Sequence, residues 1–227
     1  MAIINNRYKF IFIHVPKAAG TSITDYLSKY SSPIDIEIGG TKLGELIQTE
    51  FITRHGLSKH STASELESKL PFIWNDYFKF AAVRNPYERF ISAYNFLRRW
   101  KFEGGDIFNE RINSFRDINA LISSQFILEN RIPDDILRPQ SFWICKNNEL
   151  LIDQILKVEY LENDLLNILK KLKIEGEAPI LKVLNSDMAN NQYGENKNTL
   201  NNSSIEWIEN YYAEDFERFN YQKLSRN

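Results

Sequence analysis

The chain has 227 residues, of which 43% are hydrophobic, 26% charged and 13% aromatic, and its formal net charge at pH 7 is −2. These values are typical of a globular protein and predict one domain over 1–227. General binding to nucleic acid is disfavoured, because the chain lacks the overall basic excess that such binding uses against the phosphates.

The chain also lacks the sequence features of a membrane or secreted protein. It has neither an apolar run of about 18 residues nor a basic leader followed by a cleavage site. We therefore expect a soluble, cytoplasmic protein without a transmembrane segment or signal peptide. The single cysteine, Cys145, lies in the apolar stretch SFWICKNN and fits a buried structural thiol.

The first predicted element is a strand over 8–15, an apolar run rich in β-forming residues. From Thr21 onwards the apolar residues change to helical spacing, which predicts a helix packed on a sheet. The turn between the two reads PKAAGTS. Small residues and hydroxyls at a helix start that follows a strand are typical of a phosphate-binding loop, and Lys17 can reach across the bound group.

This turn differs from the nucleotide-binding P-loop GxxxxGK[ST], whose lysine follows the second glycine. Here Lys17 comes three residues before Gly20, which is the only glycine of the turn. A P-loop kinase would also carry an acidic metal partner on a neighbouring strand, and none is apparent in the sequence. The pattern favours a site other than an ordinary ATP site, with a P-loop nucleotide kinase as the alternative.

A second strand followed by a helix is predicted over 77–94. YFKFAAV forms the strand, Asn85 suits the helix N-cap, and Pro86 suits the first helical turn. Arg84 leaves the strand with a guanidinium that can bind phosphate through two nitrogens, and Ser92 lies two turns along the helix. Alone, these residues fit a surface ion pair and a solvated helix position. Their place at a second strand–helix junction instead predicts a second phosphate site.

The rest of the chain continues the alternation of strands and helices. A strand over 150–158, a helix after it, a polar loop over 185–202 and a final helix with a capping box of Ser203 and Glu206 are predicted. The structure of the insertion over 34–69 stays open. The alternation predicts an α/β fold with a mostly parallel central sheet flanked by helices.

Two of these segments carry a family resemblance. HVPKAAGTS resembles the 5′-phosphosulfate loop of the sulfotransferase superfamily, and VRNPYERFISAY resembles its 3′-phosphate motif, in the variant of the carbohydrate sulfotransferases grouped as sulfotransferase family 2. Further similarity runs in order through KHSTASEL, LRPQSFW, VEYLENDL and DFERFNY, and so covers most of the chain. The resemblance implies the P-loop-like sulfotransferase fold.

The resemblance also implies a sulfuryl donor, 3′-phosphoadenosine 5′-phosphosulfate (PAPS), a product, adenosine 3′,5′-bisphosphate, and a carbohydrate acceptor, without a metal. The 3′-phosphate would be held by Arg84 and Ser92, and the 5′-phosphosulfate by the loop. The loop residues are Pro16, Lys17, Ala18, Ala19, Gly20, Thr21 and Ser22. ATP has no 3′-phosphate, so two separate phosphate sites would distinguish PAPS from it.

Sulfuryl transfer to a hydroxyl places negative charge on the leaving oxygen and requires the hydroxyl to lose its proton. Lys17 is the predicted catalytic cation that neutralises this charge. His60 matches a histidine of the family and is the predicted general base, with Glu65 in reserve and helix capping as the structural alternative. His14 is expected in the core behind the loop.

The remaining candidates are weaker. His55 and Gln140 are predicted substrate contacts, and Arg89 is a candidate for contact with donor or acceptor. A loop hydrogen bond for Gln140 and a surface charge for Arg89 are the alternatives. Trp100 is the aromatic residue expected to be exposed. The sequence thus predicts a PAPS-dependent carbohydrate sulfotransferase, with a P-loop kinase or a non-catalytic nucleotide- or glycan-binding protein as alternatives.

Overall fold

The structure is a computed structural model, and it describes residues 2–99, 106–129, 132, 135–176 and 199–224. The chain divides into two compact units. The first contains Met1–Arg84 and Gln140–Leu184, and the second contains Asn85–Pro139 and Asn185–Asn227. The expectation of a single domain over 1–227 stays a prediction.

The described residues contain both strands and helices. The strands are β1 (Ala2–Asn5), β2 (Phe10–Ile13), β3 (Ile36–Glu37), β4 (Phe78–Val83), β5 (Cys145–Lys146), β6 (Glu149–Leu150) and β7 (Gln154–Lys157). The helices are α1 (Gly20–Ser28), α2 (Lys42–His55), α3 (Ala63–Lys69), α4 (Pro71–Asp76), α5 (Pro86–Arg99), α6 (Asp106–Ser114), α7 (Ile118–Ser123), α8 (Phe126–Glu129), α9 (Ser141–Ile144), α10 (Leu161–Lys171), α11 (Asn202–Tyr211) and α12 (Ala213–Arg218).

The first unit is built on a five-stranded sheet in the order β3-β1-β2-β4-β7. β2 pairs in parallel with β4, and β4 pairs in parallel with β7. β1 is antiparallel to both of its neighbours, so among the described strands of this sheet it alone runs in the opposite direction. The predicted mostly parallel α/β sheet is therefore confirmed.

The two predicted strand–helix junctions are also confirmed. All four residues of β2 are buried, and α1 begins at Gly20 and buries an apolar face. In the second junction, Pro86 is the first residue of α5, and the backbone N–H of Tyr87 donates to Asn85 Oδ1 at 3.0 Å. Asn85 thus satisfies a helix-start N–H, which is the capping role that the sequence predicts.

Several other predictions need correction. The strand expected over 150–158 is interrupted, because β6 ends at Leu150 and β7 begins only at Gln154. The capping box of Ser203 and Glu206 is wrong, because Asn201 caps α11 through its side-chain oxygen, which accepts from Ser204 N–H at 2.9 Å. Of the loop expected over 185–202, residues 185–198 lie outside the described residues. Cys145 is half-buried rather than buried.

The insertion over 34–69 contains β3, α2 and α3. Thr41 caps α2 by accepting from Gly44 N–H at 3.0 Å. In the described part of the chain, Gly44 is the one residue of α2 that is buried. α3 begins with a capping box in which Thr62 and Glu65 bond each other's backbone N–H groups.

The start of α1 packs closely against the residue that follows β2, through a contact between Gly20 and His14. His14 directly follows β2 and is 5% exposed. Its imidazole lies so close to Gly20 that a Cβ on Gly20 would overlap ring atoms Cδ2 and Nε2. Gly20 is therefore needed here because it leaves space for a ring, and not because of an unusual backbone angle.

The second unit has a buried arginine at its centre. Arg89 on α5 is 1% exposed, and it donates to the carbonyl oxygens of Arg138 at 2.9 Å and Ile136 at 3.0 Å. The Tyr212 hydroxyl donates to the carbonyl oxygen of Leu137, between them, at 2.6 Å. Buried side chains thus satisfy three consecutive carbonyls. Burial lowers the pKa of Arg89, and Tyr212 and Asp215 oppose that shift.

We predict that Gly20→Ala lowers the free energy of unfolding by about 1–3 kcal/mol, because the new methyl overlaps the His14 ring. Urea denaturation measures the change. His14→Ala combined with Gly20→Ala should recover part of the loss, because the small side chain frees the space. A single variant as stable as the wild type would contradict the close approach.

We predict that Arg89→Met lowers the free energy of unfolding by about 3 kcal/mol, because two buried carbonyls lose a charged hydrogen-bond donor. Arg99→Met is the matched control, since Arg99 lies on the same helix and is exposed. Chemical denaturation of both variants checks the difference. Equal losses of unfolding free energy in the two variants would show that the buried hydrogen bonds of Arg89 do not stabilise the fold.

Candidate active site

The loop after β2 has an unusual backbone. Lys17 and Ala19 have φ angles of 64° and 58°, in the left-handed region that side chains disfavour. Ala18 N–H donates to the Val15 carbonyl at 3.3 Å and closes a turn within the loop. Such conformations occur at ligand-binding loops, where left-handed residues let backbone N–H groups point towards an anion.

The start of α1 lacks a side-chain cap, as do the starts of α4, α9, α10 and α12. Ala19 is the N-cap and makes no side-chain cap bond, and the first turn of α1 has no acidic residue. By contrast, α2, α3 and α11 are capped by Thr41, Thr62 and Asn201. The first N–H groups of α1 and the positive end of its dipole therefore suit a bound anion such as a phosphate.

The predicted loop residues differ in what they can offer a ligand. Thr21 is exposed, and Lys17, Ala19 and Ser22 are half-buried. Pro16, Ala18 and Gly20 are buried, so this second group offers a ligand little accessible surface. The hydroxyls and the ammonium group thus lie on the accessible part of the loop.

His60 lies beside His14, behind this loop. The two imidazole centroids are 4.8 Å apart, and His60 Nδ1 is 3.4 Å from the carbonyl oxygen of His14. The ring of the buried Trp143 lies on another side, 5.9 Å from that of His60. His60 itself is half-buried. The fold therefore brings His60, the predicted general base, next to His14, which packs against Gly20.

The structural alternative for His60 is wrong, because Thr62 caps α3. The reserve candidate Glu65 belongs to that same cap, since its carboxylate accepts from Thr62 N–H at 2.7 Å. His14 lies in the core, as expected. Burial holds the pKa of His14 well below its usual value, and the positive charges of Lys59 and Lys17 act in the same direction. His14 is thus neutral at pH 7.

Arg84 follows β4 at the same edge of the sheet as the loop. β2 and β4 are parallel neighbours in which Ile13 pairs with Ala81, so both chains leave the sheet at their carboxyl ends. Arg84 N–H donates to Gln140 Oε1 at 2.8 Å, and Gln140 Nε2 donates to the Arg84 carbonyl at 2.9 Å. Gln140 is fully buried. Its two bonds to Arg84 correspond to the loop hydrogen bond that was the alternative to a substrate contact.

The other candidates differ in exposure and in the unit to which they belong. His55 is exposed at the end of α2, with its ring 5.3 Å from that of Phe51. Ser92 is 5% exposed on α5, in the second unit, rather than solvated. Arg89 is not a surface charge, because it is buried in the same unit. Trp100 lies outside the described residues.

The sequence pattern did not reveal two of the contacts in the first unit. Trp143 next to His60 and the Gln140–Arg84 pair both join residues far apart in the chain. The apolar surroundings of Trp143 indicated only a core residue, and no local signal connects Gln140 with Arg84. Such contacts follow from the packing of α9 and become visible only in the folded chain.

In the part of the chain that the structure describes, no cluster of three or more histidine, cysteine, aspartate or glutamate side chains could hold a metal ion. Within the same residues, no helix combines the length and apolar character that crossing a membrane requires.

Comparison with known proteins gives one match. A family model described as the sulfotransferase family matches residues 1–222. Neither the curated proteins nor the solved structures contain a match to this chain. The matched range includes the loop after β2, His14, His60 and Arg84. With almost its whole length covered by the family model, the chain belongs to the sulfotransferase family.

Proposed function

We propose that this protein is a PAPS-dependent sulfotransferase that transfers a sulfuryl group to a carbohydrate hydroxyl. Membership of the sulfotransferase family supports sulfuryl transfer in general. The observation that carries the choice of donor is the start of α1, which has no side-chain cap and follows two left-handed residues. PAPS, when bound, supplies a sulfuryl group attached to a phosphate leaving group.

The loop fits the phosphosulfate end of this donor. Backbone N–H groups at the start of α1 and the hydroxyls of Thr21 and Ser22 bind the anionic oxygens. The Lys17 ammonium neutralises negative charge on the leaving oxygen as the sulfur–oxygen bond breaks. The backbone of the loop is held by the bond from Ala18 N–H to the Val15 carbonyl, so its N–H groups need little reorganisation when the donor binds.

Arg84 binds the 3′-phosphate in this proposal. Its guanidinium offers two parallel N–H groups to a phosphate, and its backbone lies beside the loop because β2 and β4 are paired. Ser92 as a second ligand of that phosphate stays a prediction. So do the acceptor contact of His55, the cytoplasmic location and the metal-free chemistry, whereas the full burial of Gln140 disfavours its predicted acceptor contact.

His60 removes the proton from the acceptor hydroxyl. Nδ1 faces the carbonyl oxygen of His14 at 3.4 Å, which favours the tautomer that carries its hydrogen on Nδ1. Nε2 is then the proton acceptor.

We predict that the protein binds adenosine 3′,5′-bisphosphate roughly tenfold or more tightly than ADP, because Arg84 holds a 3′-phosphate that ADP lacks. Isothermal titration calorimetry measures both affinities. Arg84→Ala should remove the preference, whereas the matched change Arg54→Ala on the exposed surface of α2 should retain it. A preference for ADP would favour the P-loop kinase alternative.

We predict that His60→Ala slows sulfuryl transfer by roughly 10²–10⁴-fold, because the acceptor hydroxyl loses its general base. Transfer of ³⁵S from labelled PAPS to a panel of saccharides gives the rate, and calorimetry with adenosine 3′,5′-bisphosphate should give an unchanged affinity. An unchanged rate in His60→Ala would overturn the assignment. If His55→Ala then showed the loss instead, His55 would be the better candidate for the base. Binding without any transfer by the wild type would favour the non-catalytic alternative.

A further inference from the structure

Gln140 bonds to the backbone just beyond the last residue of β4 that pairs with a neighbouring strand. The last paired residue of β4 is Val83, opposite Lys157 of β7, and on the other side the pairing of β4 with β2 ends at Ala81. The backbone of Arg84 therefore lies beyond both strand pairings. Pro86, two residues later, already begins α5.

A single side chain satisfies the Arg84 backbone at this point. The Gln140 amide accepts from Arg84 N–H at 2.8 Å and donates to the Arg84 carbonyl at 2.9 Å. Both distances are those of good hydrogen bonds. The amide group thus reproduces the pair of bonds that a neighbouring strand would supply, and it restricts both dihedral angles of Arg84.

The burial of Gln140 excludes direct recognition of a ligand by its side chain. Gln140 is 0% exposed, and both polar groups of its amide are bonded to Arg84. An amide in this position can act on the site through the residue that it holds. Gln140 also precedes α9, whose Trp143 N–H donates to the Gln140 carbonyl at 3.0 Å and fixes the position of the Gln140 backbone.

We propose that Gln140 is a positioning residue that sets the direction in which Arg84 presents its guanidinium, and so determines recognition of the 3′-phosphate of the nucleotide. This inference rests on the proposed function, because it assumes that Arg84 binds that phosphate. Gln140 thereby has a role in nucleotide selectivity and not in contact with the acceptor.

The test compares two nucleotides that differ only in the 3′-phosphate. Calorimetry gives the affinities for adenosine 3′,5′-bisphosphate and adenosine 5′-phosphate in the wild type, in Gln140→Met and in Gln140→Asn. Gln140→Met keeps the length of the side chain and loses both bonds. Gln140→Asn keeps the amide but is too short to reach both backbone groups, and it provides a polar variant if Gln140→Met does not fold. Gln154→Met is the matched control. Gln154 is half-buried on β7, and the change is the same glutamine-to-methionine substitution.

We expect the preference for the bisphosphate to fall roughly tenfold in the Gln140 variants, with the affinity for adenosine 5′-phosphate retained and the control unchanged. Variants that keep the wild-type preference would overturn the inference and leave the proposed function standing. A proportional loss of affinity for both nucleotides would also overturn it, since that pattern indicates a general structural role. A wild type without any preference would overturn the proposed 3′-phosphate site itself, and the inference with it.

Discussion

Parallel hydrogen bonding between β2 and β4 determines where the functional groups of the first unit lie. Neighbouring strands are about 4.8 Å apart, and parallel strands that pair as Ile13 does with Ala81 end at the same edge of the sheet. The loop after β2 and Arg84 both follow from that edge. Carboxyl ends of strands are where ligands bind in α/β sheets, because the helices that follow present their N–H groups there.

The local parts of this architecture could be predicted from sequence. β2, α1, β4 and α5 have continuous apolar runs or helical stripes, and such patterns depend only on neighbouring residues. The start of α11 could not be fixed in the same way, because Asn201, Asn202, Ser203 and Ser204 are all residue types that cap helices. β1 and β3 were missed because four and two residues are too few for a clear period.

Within the site, the sequence indicated the loop and the pair of candidate residues Lys17 and His60, but not the reasons for their neighbours. Gly20 follows the expected motif, yet it leaves space for His14, and that contact depends on how α1 packs on β2. Arg89 resembles a surface charge until its partners, 47 and 49 residues away, are known. Burial of this kind arises from tertiary contacts, which a single sequence does not display.

α2 differs from the rest of the first unit in how little holds it. In the described part of the chain, Gly44 is its one buried residue, and a Cβ there would overlap the Gly39 carbonyl. The helix can therefore open locally without exposing the core, at a small cost in free energy. A change in the length of α2 between Thr41 and Leu57 would therefore disturb few buried contacts of the first unit.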